Sequence, residues 1–172
     1  MQRLVSPALA ILALALATSP VRAGLPDSRA LAGPPWISIE SPANPYNQET
    51  RGALLVVRVY HHGEVAFYPL TGTAEGLVDG KRQSVKLDFT STSTPGMYAL
   101  KFTKPSNGNW ILVISVGQDR DEHGSVTALV TLGSDGTVAS VQVPTKQQGQ
   151  WLMPAEVTDA DINARLKELA SA

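Results

Sequence analysis

Short runs of alternating apolar and polar residues, each closed off by Gly, Pro, Asn or Asp, recur from residue 36 to residue 143. A strand turns successive side chains to opposite faces, so a period of two builds half-buried strands. Several such runs separated by turn residues predict an antiparallel sandwich or barrel. Ile37 and Ile39 turn one way and Ser38 the other. Ser41-Pro42-Ala43-Asn44-Pro45 is then a loop, because proline cannot donate to a ladder. Over residues 53–60, Leu55, Val57 and Val59 face inward and Arg58 outward; after His61-His62-Gly63 a short strand is expected over 65–68, stopped by Pro69.

Asp79-Gly80 is a hairpin dipeptide, with arms at 71–78 and 83–89. The second arm directs Val85, Leu87 and Phe89 inward and Lys86 and Asp88 outward. Gly72 and Gly76 in the first arm predict a weak or edge strand with a bulge. Pro95-Gly96 turns the chain into 97–102, where Tyr98, Leu100 and Phe102 share a face opposite Lys101. After the turn Asn107-Gly108-Asn109, Trp110, Leu112, Ile114 and Val116 line one face of the next strand. An acidic loop leads to Val126, Ala128, Val130 and Leu132, and Ser134-Asp135-Gly136 turns into the last strand, with Val141 and Val143 inward. The expectation is about nine strands with no helix among them.

The two ends read differently. Arg3 supplies a positive n-region, residues 4–17 form an apolar run, and Val21-Arg22-Ala23 suits signal peptidase, so 1–23 is expected to be a cleaved leader. A run of about 14 residues falls short of the roughly 20 that a spanning helix needs, and no later stretch is long enough, so no membrane span is expected in the mature chain. Residues 24–35 form a flexible tether, 36–144 the sandwich, and 145–172 a linker and short helix. In that tail Thr158 and Asp161 have capping-box spacing, and Ile162, Leu166 and Leu169 make one stripe of an amphipathic helix. So short a helix needs something to dock on. Trp151-Leu152-Met153-Pro154, between sandwich and helix, would either dock the tail or face a partner, and docking is the expectation.

There is no cysteine, so an exported domain of this kind holds together by its core alone. Without Arg3 and Arg22, 12 Lys and Arg face 15 Asp and Glu, a balance of −3 spread along the chain. That leaves no basic stripe for nucleic acid.

Pro95-Gly96-Met97-Tyr98-Ala99-Leu100-Lys101-Phe102, followed by Gly108-Asn109-Trp110-Ile111-Leu112-Val113-Ile114, resembles the paired Gly-x-Tyr and Gly-x-Trp strands of bacterial periplasmic immunoglobulin-like domains of the YtkA-like kind. The resemblance covers about 20 residues and implies an immunoglobulin-like antiparallel β-sandwich, with Tyr98 as a tyrosine corner whose hydroxyl bonds back to the preceding loop. It also implies an association with exported metal-handling and membrane-associated proteins. A fold does not carry a function with it.

Candidate chemistry is sparse. His61, His62 and His123, with Met97 and Met153, are the residue types an exported copper carrier uses when Cys is absent. No His-x-His or Met-rich cluster gathers them, and strand parity sends His61 and His62 to opposite faces. Asp119-Arg120-Asp121-Glu122-His123-Gly124 opens like a calcium loop, but Val130 stands where the bidentate Glu belongs. No Gly-x-Ser-x-Gly elbow, phosphate loop or dinucleotide fingerprint is present. No catalytic residue, cofactor or metal ligand is therefore assigned. Trp36, Tyr46, Tyr60, Tyr68 and Trp151 exceed what the core needs, with Tyr60 on the outward parity of Arg58. The expectation is an exported, non-catalytic binding or accessory module, secreted or periplasmic, with a protein or envelope component as partner. A copper- or calcium-binding protein is the alternative.

Overall fold

A computed structural model describes residues 34–105, 108–117 and 124–171. The expected leader, most of the tether and the acidic loop through His123 lie outside the described residues. In chain order the elements are β1 (Trp36–Glu40), β2 (Leu55–His61), β3 (Glu64–Val65), β4 (Leu70–Val78), β5 (Lys81–Lys86), β6 (Phe89–Ser91), β7 (Met97–Leu100), β8 (Asn109–Gly117), β9 (Ser125–Leu132), β10 (Val138–Gln142), β11 (Thr145–Gln148), β12 (Trp151–Pro154) and α1 (Asp159–Ser171). One antiparallel sheet runs β1-β2-β7-β6, with β3 also on β2; the second runs β10-β9-β8-β4-β5; β11 and β12 form a separate ribbon.

The inner faces of the two sheets meet in one core. Ile37, Leu55, Val57, Val59 and Leu100 come from the first, and Trp110, Leu112, Ile114, Val116, Val126, Ala128, Val130 and Leu132 from the second. These are the inward residues of the alternation, and the result is a β-sandwich. Trp110 is the largest fully buried side chain, and its indole N–H has no hydrogen-bond partner among the described residues.

Four expectations are corrected. The arm at 83–89 is two strands: β5 belongs to the second sheet and β6 to the first, and the chain crosses between them at Leu87-Asp88. Alternation continues through the crossing because both strands turn toward the same core. Val85 and Val141 remain 38% and 40% exposed, since β5 and β10 are edge strands with no neighbour beyond them. The bulge sits in β10, between Val138 and Ser140, while β4 is an interior strand paired without irregularity on both sides. Gly76 is there because Trp110, its partner across the ladder, lays its ring over the backbone; a Cβ would stand 2.6 Å from the indole. Finally, the strand expected at 65–68 covers only Glu64 and Val65, closed by a turn in which His62 and Gly63 both have positive φ.

Turn chemistry accounts for what was anticipated. Asp79 and Gly80 take positive φ and bring Val78 opposite Lys81. Gly96, also at positive φ, is packed so closely that a Cβ would meet Val65 at 2.6 Å. Tyr98 packs against the core, but among the described residues no hydrogen bond of its hydroxyl to the preceding loop is found, unlike the tyrosine corner that the resemblance implies.

Part of the outer face of the second sheet, around Ile111, is covered by α1. The helix begins at the expected cap: Asp161 accepts from the Thr158 hydroxyl at 2.6 Å and its backbone N–H at 2.9 Å, and the Asp161 N–H returns to the Thr158 Oγ1. Ile162 and Leu166 are buried against Ile111 of β8, with Leu77, Val113 and Val157 around them. Leu169 is only half-buried. Arg82 of β5 fastens the contact through three nitrogens: Nε to Glu75 at 2.9 Å, one Nη to Asn163 at 3.0 Å and the other to Asp159 at 2.8 Å. Glu75 also accepts from the Ser84 hydroxyl at 2.7 Å and is 4% exposed. Burial alone raises the Glu75 carboxyl; hydrogen bonds from Ser84, Thr73 and Arg82, with the Arg82 charge, outweigh it and hold the group below its ordinary value. No helix among the described residues is long and apolar enough to cross a membrane.

Candidate functional site

Among the described residues no helix lies on the outer face of the first sheet, and its β1–β3 end presents an aromatic row. Trp36, Tyr60 and Val65 are register partners on three adjacent strands, directed away from the core that Ile37 and Val59 enter. Trp36 is 46% exposed and Val65 49%, with Tyr60 half-buried between them. Ala66 and Tyr68 pack on the core, which turns Phe67 outward at 74% exposed. Two strand positions along, Arg58 and Glu40 form an ion pair at 2.7 Å. This pair is partly exposed and contributes up to about 1 kcal/mol; its larger effect is to cancel two charges beside the apolar row.

The row ends where the face becomes covered. Val56, Met97 and Ala99 also point away from the core, yet all three are buried. Glu49 in the preceding loop accepts from the Ser93 backbone N–H and hydroxyl, tying that loop to the segment after β6. The exposed area is therefore confined to the β1–β2–β3 end.

At the tip of the β2–β3 hairpin lie the two histidines. Strand parity places them on opposite faces, but His62 leaves the strand at φ 53°, and its ring comes within 4.0 Å of the His61 ring, centroid to centroid. His61 also meets Tyr68 edge-on at 5.6 Å. Of the other expected metal-type residues, Met97 is buried in β7, Met153 is half-buried in β12, and His123 lies outside the described residues. No group of three His, Asp or Glu able to hold a metal is found among the described residues. Tyr46, at 88% exposed, stands in the loop before β2, apart from the row in register.

A shallow groove of about 400 Å³ lies on the second sheet, lined by Thr71, Ser115, Ser125, Thr127 and residues 155–157. Thr71, Ser115 and Thr127 form one register row, with the Ser115 and Thr127 hydroxyls 2.9 Å apart. The lining offers hydroxyls and the Glu156 carboxylate, a hydrogen-bonding surface with no general base paired to a nucleophile.

Sequence reasoning named Trp36 and Tyr60 but missed Val65 and Phe67, because it extended the strand through 65–68 as one short piece. It also missed the burial of Glu75. The hairpin register about Asp79-Gly80 places Glu75 opposite Ser84 and diagonal to Arg82, which is the pattern that marks it. No protein family, no curated protein and no solved structure matches this chain.

Proposed function

We propose that this chain is an exported, non-catalytic immunoglobulin-like sandwich that serves as a binding module of the cell envelope, with a protein partner held on the Trp36–Tyr60–Val65 row. The single observation that carries the reading is that three side chains align across three strands, with Trp36 and Val65 open to water and Tyr60 half-buried between them. Aromatic residues supply much contact area for little lost side-chain freedom and are enriched where proteins meet. The neighbouring Arg58–Glu40 pair suits the rim of such a patch. Export rests on the leader-like residues 1–23; sequencing the protein from the envelope is expected to read Gly-Leu-Pro-Asp, and a chain still beginning at Met1 would overturn it.

The partner is tested by placing a photo-crosslinking residue at Trp36 in cells, with one at Val85 as control. An adduct from position 36 and none from 85 is expected, and W36A with F67A should lower co-purification at least about tenfold. Equal crosslinking from both positions would remove the case for the row. One observation favours a second reading, the approach of the two imidazoles at the β2–β3 tip. Tight, stoichiometric copper uptake in calorimetry, abolished in H61A/H62A, would make metal binding the function instead; calcium uptake would point to the acidic loop.

A further inference from the structure

The β11–β12 ribbon does not do what the sequence led one to expect. Trp151 and Leu152 were expected to help dock the tail, yet they are 66% and 68% exposed. Adjacent residues on a strand face opposite ways, so both faces of the ribbon tip are open to water. The ribbon belongs to neither large sheet: Gln148 pairs with Trp151, Gln147 with Leu152 and Lys146 with Met153 about the turn at Gly149, and no third strand joins. Its base is held, since the Ala155 N–H donates to the Pro144 carbonyl at 2.8 Å and Met153 and Pro154 are half-buried.

We infer that this tip inserts into the interface of an anionic lipid surface. Three observations choose that occupant. A groove on a partner protein covers one side of a ribbon, whereas a lipid interface surrounds both sides, and here both carry a large apolar group. Tryptophan suits the boundary between headgroups and acyl chains. Charge is complementary as well: between Asp135 and Glu156 the only charged side chain is Lys146, a cation in no ion pair among the described residues, in a chain that is otherwise net acidic. Gln147, Gln148 and Gln150 bring no charge that would have to be desolvated. The ribbon shares no residue with the Trp36 row and stands or falls apart from it.

One aromatic, one aliphatic and one cation make a weak, reversible contact. The test uses protein recovered after export and phosphatidylcholine vesicles with or without about a third phosphatidylglycerol. Expected is co-sedimentation with the anionic vesicles, quenching of Trp151 fluorescence by brominated lipid, and a loss of at least about tenfold in partitioning for W151S/L152S. Thermal melting of that variant should match the parent, because both side chains are already exposed. K146Q should weaken binding to the anionic vesicles about fivefold and leave the neutral ones unchanged. No sedimentation with either vesicle, or equal sedimentation of parent and W151S/L152S, would overturn the inference. So would a protein crosslinked through position 151 with no vesicle binding, which would make the tip a protein interface.

Discussion

On the second sheet, the part of the outer face around Ile111 is covered by chain that arrives late in the sequence: Arg82 bonds Asp159 and Asn163, 77 and 81 residues further on. On the first sheet, the corresponding face at the β1–β3 end stays open, with Trp36, Val65 and Phe67 in water. Both sheets feed the same core and both carry apolar residues outside it. The difference is the company those residues keep. Ile111 and Leu77 lie beside an anchored charge network that positions a helix over them, whereas Trp36 and Tyr60 lie beside an Arg58–Glu40 pair with no further ion-pair partner among the described residues. An apolar outer face closed by its own chain serves stability, and one left open is free to serve recognition.

That contrast gives an ordered set of expected effects. The shared core comes first: Trp110→Ala should destabilise the protein by about 3–5 kcal/mol in chemical denaturation, the range for a buried large aromatic. A loss below about 1 kcal/mol would undo the assignment of β8's inner face. Next is the closed outer face. Leu166→Ala, at 1% exposure, should cost about 2–4 kcal/mol and raise amide exchange across α1; unchanged exchange would mean that the helix is not held by this contact.

Arg82→Ala should cost about 1–3 kcal/mol, because it leaves the buried Glu75 carboxylate short of a partner. The pH profile checks the same network. Glu75 is held low in the folded protein, so its contribution is fully present above the unfolded value of about 4.3 and is lost as pH falls through the folded value. Asp135 and Asp161 are also held low, by hydrogen bonds from Thr137 and Thr158, so acid weakens more than one site. The Glu75 part is isolated by comparison with Glu75→Gln: that variant should be less stable at neutral pH and lose less on acidification. Parallel profiles would exclude Glu75. Smallest on stability is the open face, where Trp36→Ala should shift the unfolding free energy by less than about 0.5 kcal/mol. A larger shift would show that the row is structural.

Much of this was legible in the residues. The hairpin at Asp79-Gly80, the four inward residues from Trp110 to Val116 and the Thr158–Asp161 cap all depend on neighbours in sequence or on period, and the structure forms each of them. What escaped depended on tertiary partners. Gly76 reads as a weak point until Trp110 is seen lying over it. Leu87 continues a perfect alternation while the chain changes sheets beneath it. The histidine rings meet because one backbone angle turns positive, which parity cannot anticipate. Trp151 looked like packing material because its exposure is decided by a ribbon that alternation alone did not separate from the linker.

The position of α1 after all the strands it packs on has a consequence for how the molecule comes into being. Chains grow from the N-terminus, and domains form as their residues emerge. All ten strands of the two large sheets are synthesised before Ile162 and Leu166 exist to cover Ile111. A chain grown only through the strands therefore displays an uncovered apolar stripe on β8 and an Arg82 held by Glu75 alone. One stretch of α1 supplies both missing contacts, Asp159 and Asn163 to Arg82 and Ile162 and Leu166 to Ile111, so the stripe and the guanidinium are covered in a single docking step.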